Sequence, residues 1–405
     1  MSKIIPFHAV RPTSDKVALV TCRTYDDYSS AELASLLDFN PYSFLHIINP
    51  AYANAQKTTL EKRFKAVHNK YTDFKNDLVL QKEVKPAFFL YEIQTKERLF
   101  TGIVAGVSIE DYKNNIIKKH EDTLQYRVTY FKDYLHQTGF NTEPVLLTYT
   151  DDLEINNFII IKKNTPSIYN FSTTKKEIHT LWKIDTETEI EFLEKKFENI
   201  SALYIADGHH RSASAELLFD ENKDSKNRNL NYFMGFLIAE SQVKIYEFNR
   251  IIRDLNGLTK TQFLEKLTDH FIIKIKYKEL WKPESKFEFG MYLDGDFYAL
   301  FYKQEVQNPD ILANLDAQIL YDKVLHPLLG IADLRNDDRI EYIPGKQSVV
   351  TLKEVIDEGE FEVGFLLYPS DISEIKALAD HNLIMPPKST YIEPKFRSGL
   401  LIYEL

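Results

Sequence analysis

The sequence predicts an α+β protein built from two or three structural units. Helical and strand patterns are mixed along the chain without the strict alternation of an α/β sheet. The 405 residues are too many for one ordinary hydrophobic core. Because no internal repeat, low-complexity tract or long Pro/Gly/Ser linker separates the units, their boundaries must follow from the order of the elements.

Regular spacing of apolar residues predicts the elements that precede residue 200. A hairpin is expected around the polar turn at residues 95–98, because short apolar runs flank it on both sides. The patterns predict helices at residues 29–37, 59–77 and 187–199, and strands at residues 87–94, 99–109, 145–150 and 158–162.

The second half of the chain continues the same mixture. A strand at 202–206, a turn at 207–210 and a helix at 211–220 follow one another directly. An Asp-Gly pair at 294–295 predicts a hairpin over 287–302. Further strands are predicted at 232–239, 243–248, 361–368 and 400–405, and further helices at 260–271, 315–329, 348–358 and 372–380.

Composition excludes several classes of protein. The 60 acidic residues outnumber the 50 basic ones, and the net charge of -10 argues against a nucleic-acid-binding protein, which needs a basic face. Cys22 is the single cysteine, so there is no intrachain disulfide, and a packing role is expected for it. No apolar run reaches the ~20 residues that span a bilayer. We therefore expect a soluble, cytoplasmic protein without a membrane partner.

The segment Asp207-Gly208-His209-His210-Arg211 is the first candidate site. A strand that ends in Asp-Gly and opens a helix presents backbone N–H groups and a positive helix end, which favour phosphate. Gly208 lets backbone approach a ligand, and Arg211 has the wrong charge for a first helical turn unless it pairs with an anion. Asp207 could hold Mg²⁺ beside that anion.

The turn has two other interpretations, a plain helix cap and a zinc site. Asp207 could simply cap the helix while His209 and His210 lie at the surface. The two histidines together with Arg211 favour a functional site instead. A tight zinc site is disfavoured, because neighbouring helical positions point in different directions and no third ligand is nearby in the sequence.

Two further segments are candidates. Glu121 follows a basic stretch in a predicted loop and could act as general base toward a hydroxyl group, although a solvated charged loop would look the same. Lys388, Ser389 and Thr390 follow two prolines and offer a charge and two hydroxyls for phosphate contact. The alternative for this loop is a rigid surface connection.

These segments together resemble one bacterial family, domain of unknown function family 1015. The resemblance is carried by ordered matches along nearly the whole chain: Pro6-Phe7 with Arg11-Pro12, residues 40–46, His120-Glu121 with Thr123, residues 206–211, residues 326–331 and residues 385–391. The family's name implies no function.

The turn at 207–211 is also similar to the phosphate-binding turn of the ParB/sulfiredoxin superfamily, which includes archaeal ADP-dependent kinases of free serine. That likeness implies Asp207 as a catalytic and Mg²⁺-binding residue, His209 and His210 as catalytic residues, and phosphate binding by Gly208 and Arg211. Glu121 becomes the candidate that activates the serine hydroxyl. Sulfiredoxin chemistry is rejected, because the turn has no cysteine.

The resemblance predicts three segments: an N-terminal α+β segment at 1–99, a ParB/sulfiredoxin-like catalytic core at 100–250 and a C-terminal α+β domain at 251–405 whose last loop returns to the site. It implies phosphoryl transfer between a nucleotide (ADP or ATP) and a small hydroxy amino acid, with serine favoured. Run backward, the reaction would dephosphorylate phosphoserine in serine synthesis. The alternatives are a non-catalytic ParB-like nucleotide-binding regulator and a metal-dependent phosphatase. The oligomeric state is left open.

Overall fold

The computed structural model describes residues 2–49, 59–303 and 310–405. Helices and sheets are mixed, so the predicted α+β class is confirmed. The chain divides into two compact units. The first comprises residues 1–118, 123–243 and 394–405, and the second comprises residues 119–122 and 244–393. The first unit thus contains the predicted segment 1–99 and most of 100–250.

A nine-stranded mixed sheet forms the centre of the first unit within the described residues, in the order β6-β11-β8-β12-β5-β4-β10-β9 with β1 beside β5. β2 pairs with β3, and β20 pairs with β7, in two small ribbons. The strands are β1 (Ile4–Ile5), β2 (Val10–Pro12), β3 (Leu80–Lys82), β4 (Phe88–Gln94), β5 (Leu99–Ser108), β6 (Ile117–Lys118), β7 (Phe140–Asn141), β8 (Val145–Tyr149), β9 (Tyr169–Ser172), β10 (Ile178–Ile184), β11 (Leu203–Asp207), β12 (Tyr232–Ala239) and β20 (Tyr403–Glu404).

Helices of the first unit supply the apolar side chains that cover this sheet. Ile155, Leu193 and Ala215, from three different helices, share one buried cluster with the sheet residues Leu147 and Ile205. The helices are α1 (Val17–Val20), α2 (Ser30–Phe39), α3 (Leu45–Ile48), α4 (Leu60–Asn76), α5 (Ile109–Lys113), α6 (Gln125–Thr138), α7 (Leu153–Lys163), α8 (Glu187–Glu198) and α9 (His209–Glu221).

The last twelve residues of the chain are bound into the first unit by backbone and side-chain contacts. Ser398 and Cys22 exchange both backbone hydrogen bonds, at 2.9 and 3.1 Å. Near the C-terminus, Glu404 accepts hydrogen bonds from Tyr71, Lys75 and Lys82 at 2.8, 2.5 and 2.7 Å. These contacts fix the path of the segment that follows Pro394.

The second unit contains a seven-stranded sheet within the described residues, in the order β14-β16-β15-β18-β13-β17 with β19 beside β13. Its strands are β13 (Lys244–Ile252), β14 (Phe271–Tyr277), β15 (Glu288–Leu293), β16 (Asp296–Tyr302), β17 (Ile340–Pro344), β18 (Val363–Leu366) and β19 (Thr390–Glu393). Its helices are α10 (Lys260–Leu267), α11 (Asp316–Leu320) with a π-helical turn at Tyr321–Leu325, α12 (Val349–Asp357) and α13 (Ile372–Asp380).

One predicted strand is wrong. Residues 158–162 belong to helix α7, which begins after Asp152 because that carboxylate accepts hydrogen bonds from the N–H groups of Glu154 and Ile155, at 2.8 and 2.9 Å. Ile155 and Ile159 lie four residues apart on the buried side of the helix. The apolar run that suggested a strand continues onto the exposed side of the same helix.

Other boundaries differ by a few residues. The helix predicted at 260–271 ends at Leu267, and Phe271 begins strand β14. The strand predicted at 400–405 is reduced to Tyr403–Glu404. The histidines placed in the turn at 207–210 instead form the first residues of α9. No helix among the described residues is long and apolar enough to cross a membrane.

Candidate active site at the β11–α9 turn

A β-bulge at the end of β11 decides where Asp207 points. Ile205 lies opposite Leu147 of β8, whereas Asp207 lies opposite Leu146, so Ala206 is the extra residue. Without the bulge, Asp207 would share the face of Ile205, which is in the apolar core. The bulge moves the carboxylate to the opposite face of the sheet, as bulges near active sites commonly do.

Gly208 connects β11 to α9 in a conformation that suits glycine. Its φ is +103°, in the left-handed region, and a Cβ atom built there would lie 3.1 Å from Nε of Arg211. Gly208 is itself the N-cap residue, and it has no side chain with which to cap the helix. The plainer interpretation of Asp207 as a helix cap therefore does not hold.

Asp207 lies between two cations. Its Oδ2 accepts a hydrogen bond from Nη2 of Arg211 at 2.8 Å, and its Oδ1 lies 3.4 Å from Nζ of Lys395. Burial raises the pKa of this carboxyl, but the charges of Lys395, Arg211 and His209 outweigh that effect and lower the pKa to about 2. The side chain remains 38% exposed, so an ionised carboxylate faces solvent at this turn.

Arg211 is held by acceptors of its own chain. Besides Asp207, its Nη1 donates to the backbone oxygen of Pro144 at 2.6 Å and lies 3.8 Å from a carboxylate oxygen of Glu143. Arg211 was expected to pair with an anion, and the anion it pairs with here is the neighbouring carboxylate. A ligand phosphate would have to compete with these three oxygens.

The two histidines differ in their surroundings. His209 is 3% exposed, and Nε2 of His210 accepts a hydrogen bond from the N–H of Leu124 at 3.1 Å. That acceptor nitrogen carries no proton in this arrangement. Leu124 is the N-cap residue of α6, and it has no side-chain cap. The plainer alternative, in which both histidines lie at the surface, therefore does not hold for His209.

The bond from Leu124 to His210 also reveals how α6 and α9 are arranged. Farther along both helices, Lys132 in the middle of α6 pairs with Glu221 at the end of α9, at 3.0 Å. The two helices therefore run parallel, with their N-termini side by side. Each helix N-terminus carries about half a positive charge, and Asp207 lies immediately before Gly208, the N-cap residue of α9.

Four of the predicted site residues belong to the second unit. Glu121 lies in the segment 119–122, where the backbone oxygen of His120 accepts the N–H of Met385 at 2.9 Å. Lys388, Ser389 and Thr390 precede or begin β19. Their assignment to the site of Asp207 remains a prediction.

Within the second unit, the loop 385–390 is fastened by its own contacts. The Ser389 hydroxyl donates to the backbone oxygen of Pro386 at 2.6 Å, and the backbone oxygen of Lys388 accepts Nη2 of the buried Arg250 at 3.3 Å. Lys388 has a φ of +55°, and its Nζ lies 5.3 Å from the ring centre of Phe248. The Lys388 side chain is exposed.

Sequence reasoning missed Lys395 and Glu143 as members of the site. Lys395 reaches Asp207 from the C-terminal segment, and Glu143 lies between β7 and β8. Neither residue lies in a motif around the turn. The Pro-Lys pair at 394–395, a few residues after the candidate loop at 385–391, was the one local signal.

No group of three or more His, Cys, Asp or Glu residues that could hold a metal ion occurs among the described residues. Mg²⁺ commonly binds through one or two carboxylates plus substrate phosphates and water, and Asp207 can supply one such carboxylate. The donor chemistry fits a metal that arrives with a phosphate ligand and does not fit a preformed metal cage.

No curated protein matches this sequence. Solved structures with a distant likeness include C-terminally truncated SbnI from Staphylococcus aureus, at 14% identity and a TM-score of 0.39 over 72% of this chain and 82% of that chain. A free serine kinase in complex with AMP shows 15% identity and a TM-score of 0.38 over 75% and 91%. A conserved hypothetical protein from Pyrococcus furiosus shows 13% and 0.34 over 73% and 91%. Likenesses at this level carry no inference about function.

The sequence profile of one family, described as protein of unknown function (DUF1015), matches residues 4–318. The matched range includes β11, the turn and α9, whereas the segments at 326–331 and 385–391 lie beyond it. Because the match covers well over half of the 405 residues, the chain belongs to the DUF1015 family.

Proposed function

We propose that the turn at 207–211 binds a nucleotide phosphate, and that the chain transfers a phosphoryl group between ADP or ATP and a small hydroxy amino acid. The observation that supports this most is the ionised Asp207 carboxylate between Arg211 and Lys395, beside the N-terminus of α9. Helix N-termini and cations are the groups with which proteins bind phosphate. Transfer of a phosphoryl group needs mainly positioning and charge neutralisation.

The charge balance of the turn indicates what a phosphate would need. Asp207 and Glu143 carry two negative charges, and Arg211 and Lys395 carry two positive ones. These four groups nearly cancel, so an incoming phosphate must be stabilised by the N-terminus of α9 or by a cation that it brings. Bound Mg²⁺ would supply that positive charge and would polarise the phosphate, with Asp207 as its protein ligand.

Roles for the chain's own residues follow from this arrangement. Gly208 gives the phosphate access to backbone at the start of α9. His210 joins the N-termini of α6 and α9, which keeps the start of α6 next to the turn of α9. His209 and His210 are proposed as catalytic residues, and Glu121, Lys388, Ser389 and Thr390 as contributors that mutagenesis must test separately.

Serine and phosphoserine are the favoured substrate pair. This choice follows from the resemblance of the turn to that of free-serine kinases, and the flux could run in either direction. In the reverse direction the phosphoryl group of phosphoserine passes to a nucleotide, which would complete serine synthesis. A nucleotide-binding regulator would share the phosphate site without turnover, and a phosphatase would act without nucleotide.

One experiment separates these possibilities. Labelled phosphate is followed between ADP or ATP and serine, and from phosphoserine to nucleotide, with and without Mg²⁺, while calorimetry measures nucleotide binding. Nucleotide-dependent transfer supports the proposal. Binding without transfer across the hydroxy amino acids supports the regulator, and release of phosphate without nucleotide supports the phosphatase. No heat with millimolar ADP, ATP, CTP or GTP would contradict nucleotide binding altogether.

A further inference from the structure

Two arginines of the second unit lie three positions apart and have opposite surroundings. The side chain of Arg253, just after β13, is 32% exposed and pairs with Glu341 at 2.8 Å and with Glu360. Arg250, within β13, is 1% exposed. Because a charge is costly to remove from water unless a counter-charge accompanies it, a carboxylate partner would be expected for Arg250 more than for Arg253.

Neutral groups hold Arg250 instead. Its Nη1 donates to the backbone oxygen of Phe248, and its Nη2 donates to the backbone oxygen of Lys388 at 3.3 Å. Its Cζ lies 5.7 Å from the ring centre of Tyr342, the residue opposite it on β17. Arg250 forms no ion pair with the residues that the structure describes.

The guanidinium of Arg250 keeps its charge although it is buried. Burial lowers its pKa to about 10, while Tyr342 and Glu247 act in the opposite direction, so the group is protonated at pH 7. Glu247 lies three positions earlier on β13 and therefore projects from the opposite face of the strand. Burial also raises the pKa of Glu247, which weakens it further as a counter-charge.

Lys388 adds a second positive charge on the same face of β13. Its Nζ lies 5.3 Å from the ring centre of Phe248, and Phe248 shares a face with Arg250 because the two are separated by two positions. The Lys388 side chain is exposed, and it too forms no ion pair within the described part of the chain. One buried and one exposed cation thus lie in the same region without a carboxylate partner.

The backbone at Lys388 does not favour a lysine. Its φ of +55° lies in the left-handed region, which suits glycine and costs free energy for a residue with a Cβ atom. The bond from Arg250 to the Lys388 oxygen and the bond from the Ser389 hydroxyl to Pro386, at 2.6 Å, hold the loop. A glycine at position 388 would keep both bonds with less strain. Strained residues of this kind cluster in binding loops.

We propose that Arg250 and Lys388 form a phosphate-binding site of the second unit, in which Lys388 contacts the phosphate and Arg250 is a positioning residue that holds Lys388 and adds positive charge. A phosphate group carries up to about two negative charges, which two cations without carboxylate partners can balance. The phosphate could belong to a nucleotide or to phosphoserine, or it could be free. This inference goes beyond the proposed function, because it does not require the turn at 207–211 to bind anything.

The test titrates pyrophosphate, ADP and phosphoserine into the full chain by calorimetry and measures thermal melting with and without each ligand. The wild type should bind at least one of them and melt at a higher temperature in its presence. Arg250→Met should weaken that binding about ten- to a hundredfold. Arg253→Met is the matched control, because it removes the same charge from a residue that already has two carboxylate partners. It should keep the wild-type affinity.

Two further variants distinguish ligand binding from a purely structural role. Lys388→Gly should melt no lower than the wild type without ligand, because glycine adopts a positive φ readily, yet it should bind phosphate more weakly and with a shallower dependence on salt. Arg250→Lys keeps the charge and should retain more affinity than Arg250→Met. If the two side chains serve only the fold, Lys388→Gly and Arg250→Met will bind every ligand as the wild type does, which would overturn the inference.

Gly208→Ala separates this inference from the proposed function. If Gly208→Ala weakens binding while Arg250→Met and Lys388→Gly bind as the wild type does, the turn at 207–211 is the phosphate site and the inference is overturned. If Arg250→Met and Lys388→Gly weaken binding and Gly208→Ala does not, the site of the second unit stands without the turn. A wild type that binds none of the three ligands would overturn both. Should Arg250→Met fail to fold, Lys388→Gly decides between these outcomes, because it keeps Arg250 in place.

Discussion

Asp207 and Arg211 form an ion pair of 2.8 Å that spans Gly208 and the first turn of α9. The pair joins the last residue of β11 to α9, which begins two residues later. It therefore links the two elements on either side of the turn directly. The bulge at Ala206 directs the carboxylate, and Pro144 and Glu143 direct the guanidinium. The turn is thus ordered by its own contacts before any ligand is present.

Gly208→Ala tests whether the turn needs its left-handed backbone. A methyl group at φ +103° and 3.1 Å from Arg211 should destabilise the fold by about 1–2 kcal/mol and weaken nucleotide binding. Gly139→Ala is the control, because Gly139 also has a positive φ, +77°, but nothing lies within 4 Å of its added methyl. Chemical denaturation should show that both variants are less stable than the wild type. Calorimetry should show that only Gly208→Ala binds nucleotide more weakly. Equal affinities would show that the turn tolerates a side chain.

Glu404 should make stability depend on pH. Burial raises its pKa, but hydrogen bonds from Lys75, Lys82 and Tyr71 outweigh this and lower the pKa to about 2, below the unfolded value of about 4.3. A depressed folded pKa adds stability above the unfolded pKa, and that stability is lost as pH falls from about 4.5 toward 2. The loss should be on the order of 2–3 kcal/mol.

Urea unfolding of the wild type and of Glu404→Gln between pH 7 and pH 3 measures this effect. Glu404→Gln should be less stable than the wild type at pH 7. The difference between their free energies of unfolding should become smaller as the pH falls. Glu97→Gln, in the exposed turn between β4 and β5, is the control and should leave the pH dependence unchanged. A constant difference between Glu404→Gln and wild type at every pH would refute the assignment.

Lys388→Ala tests the predicted phosphate contact of the 385–390 loop. The substitution keeps the backbone oxygen that accepts Arg250, so folding should survive. Loss of one charged hydrogen bond to phosphate should weaken nucleotide or phosphoserine binding about ten- to a hundredfold. Lys260→Ala, which removes a lysine paired with Asp294 at 2.8 Å in the same unit, is the control. If Lys388→Ala lowers the melting temperature and leaves nucleotide affinity intact, Lys388 stabilises the fold and does not bind phosphate.

Glu121→Gln tests the predicted general base. If Glu121 only accepts the hydroxyl proton of the substrate, nucleotide affinity should be unchanged while turnover falls by roughly 10²–10⁴. Calorimetry with ADP and the phosphate-transfer assay measure the two quantities on the same preparation. Turnover equal to wild type would remove Glu121 from the mechanism, and a parallel loss of nucleotide affinity would give it a binding role instead.

Local patterns predicted the strand and the helix that flank the candidate site. The strand-turn-helix around Asp207 was visible because a short apolar run, an Asp-Gly pair and helical spacing follow one another directly. The hairpin of β4 and β5 was likewise predictable from its polar turn. In each case the residues that decide the structure are neighbours in the sequence.

Contacts between distant parts of the chain were not predictable in this way. Lys395 meets Asp207 only because the C-terminal segment is bound to Cys22, Thr142 and Glu143. The bulge at Ala206 depends on pairing with β8, and single-strand periodicity would have left Asp207 facing the core. The strand predicted at 158–162 was wrong because a short continuous apolar run looks the same in a strand and in part of a helix. Periodicity alone could not distinguish the two structures here.

Phosphoryl transfer by Asp207→Asn is the measurement that tests the central claim most directly. Asparagine keeps the size of the side chain and can still accept a hydrogen bond from Arg211, so circular dichroism should be unchanged. The matched control is Asp220→Asn, on the same helix α9, which loses an ion pair to Lys113. We expect the rate between nucleotide and serine, assayed in both directions with Mg²⁺, to fall by two or more orders of magnitude in Asp207→Asn, about 3 kcal/mol of barrier, and to stay near wild type in Asp220→Asn. A folded Asp207→Asn that transfers phosphate as fast as Asp220→Asn would contradict the account.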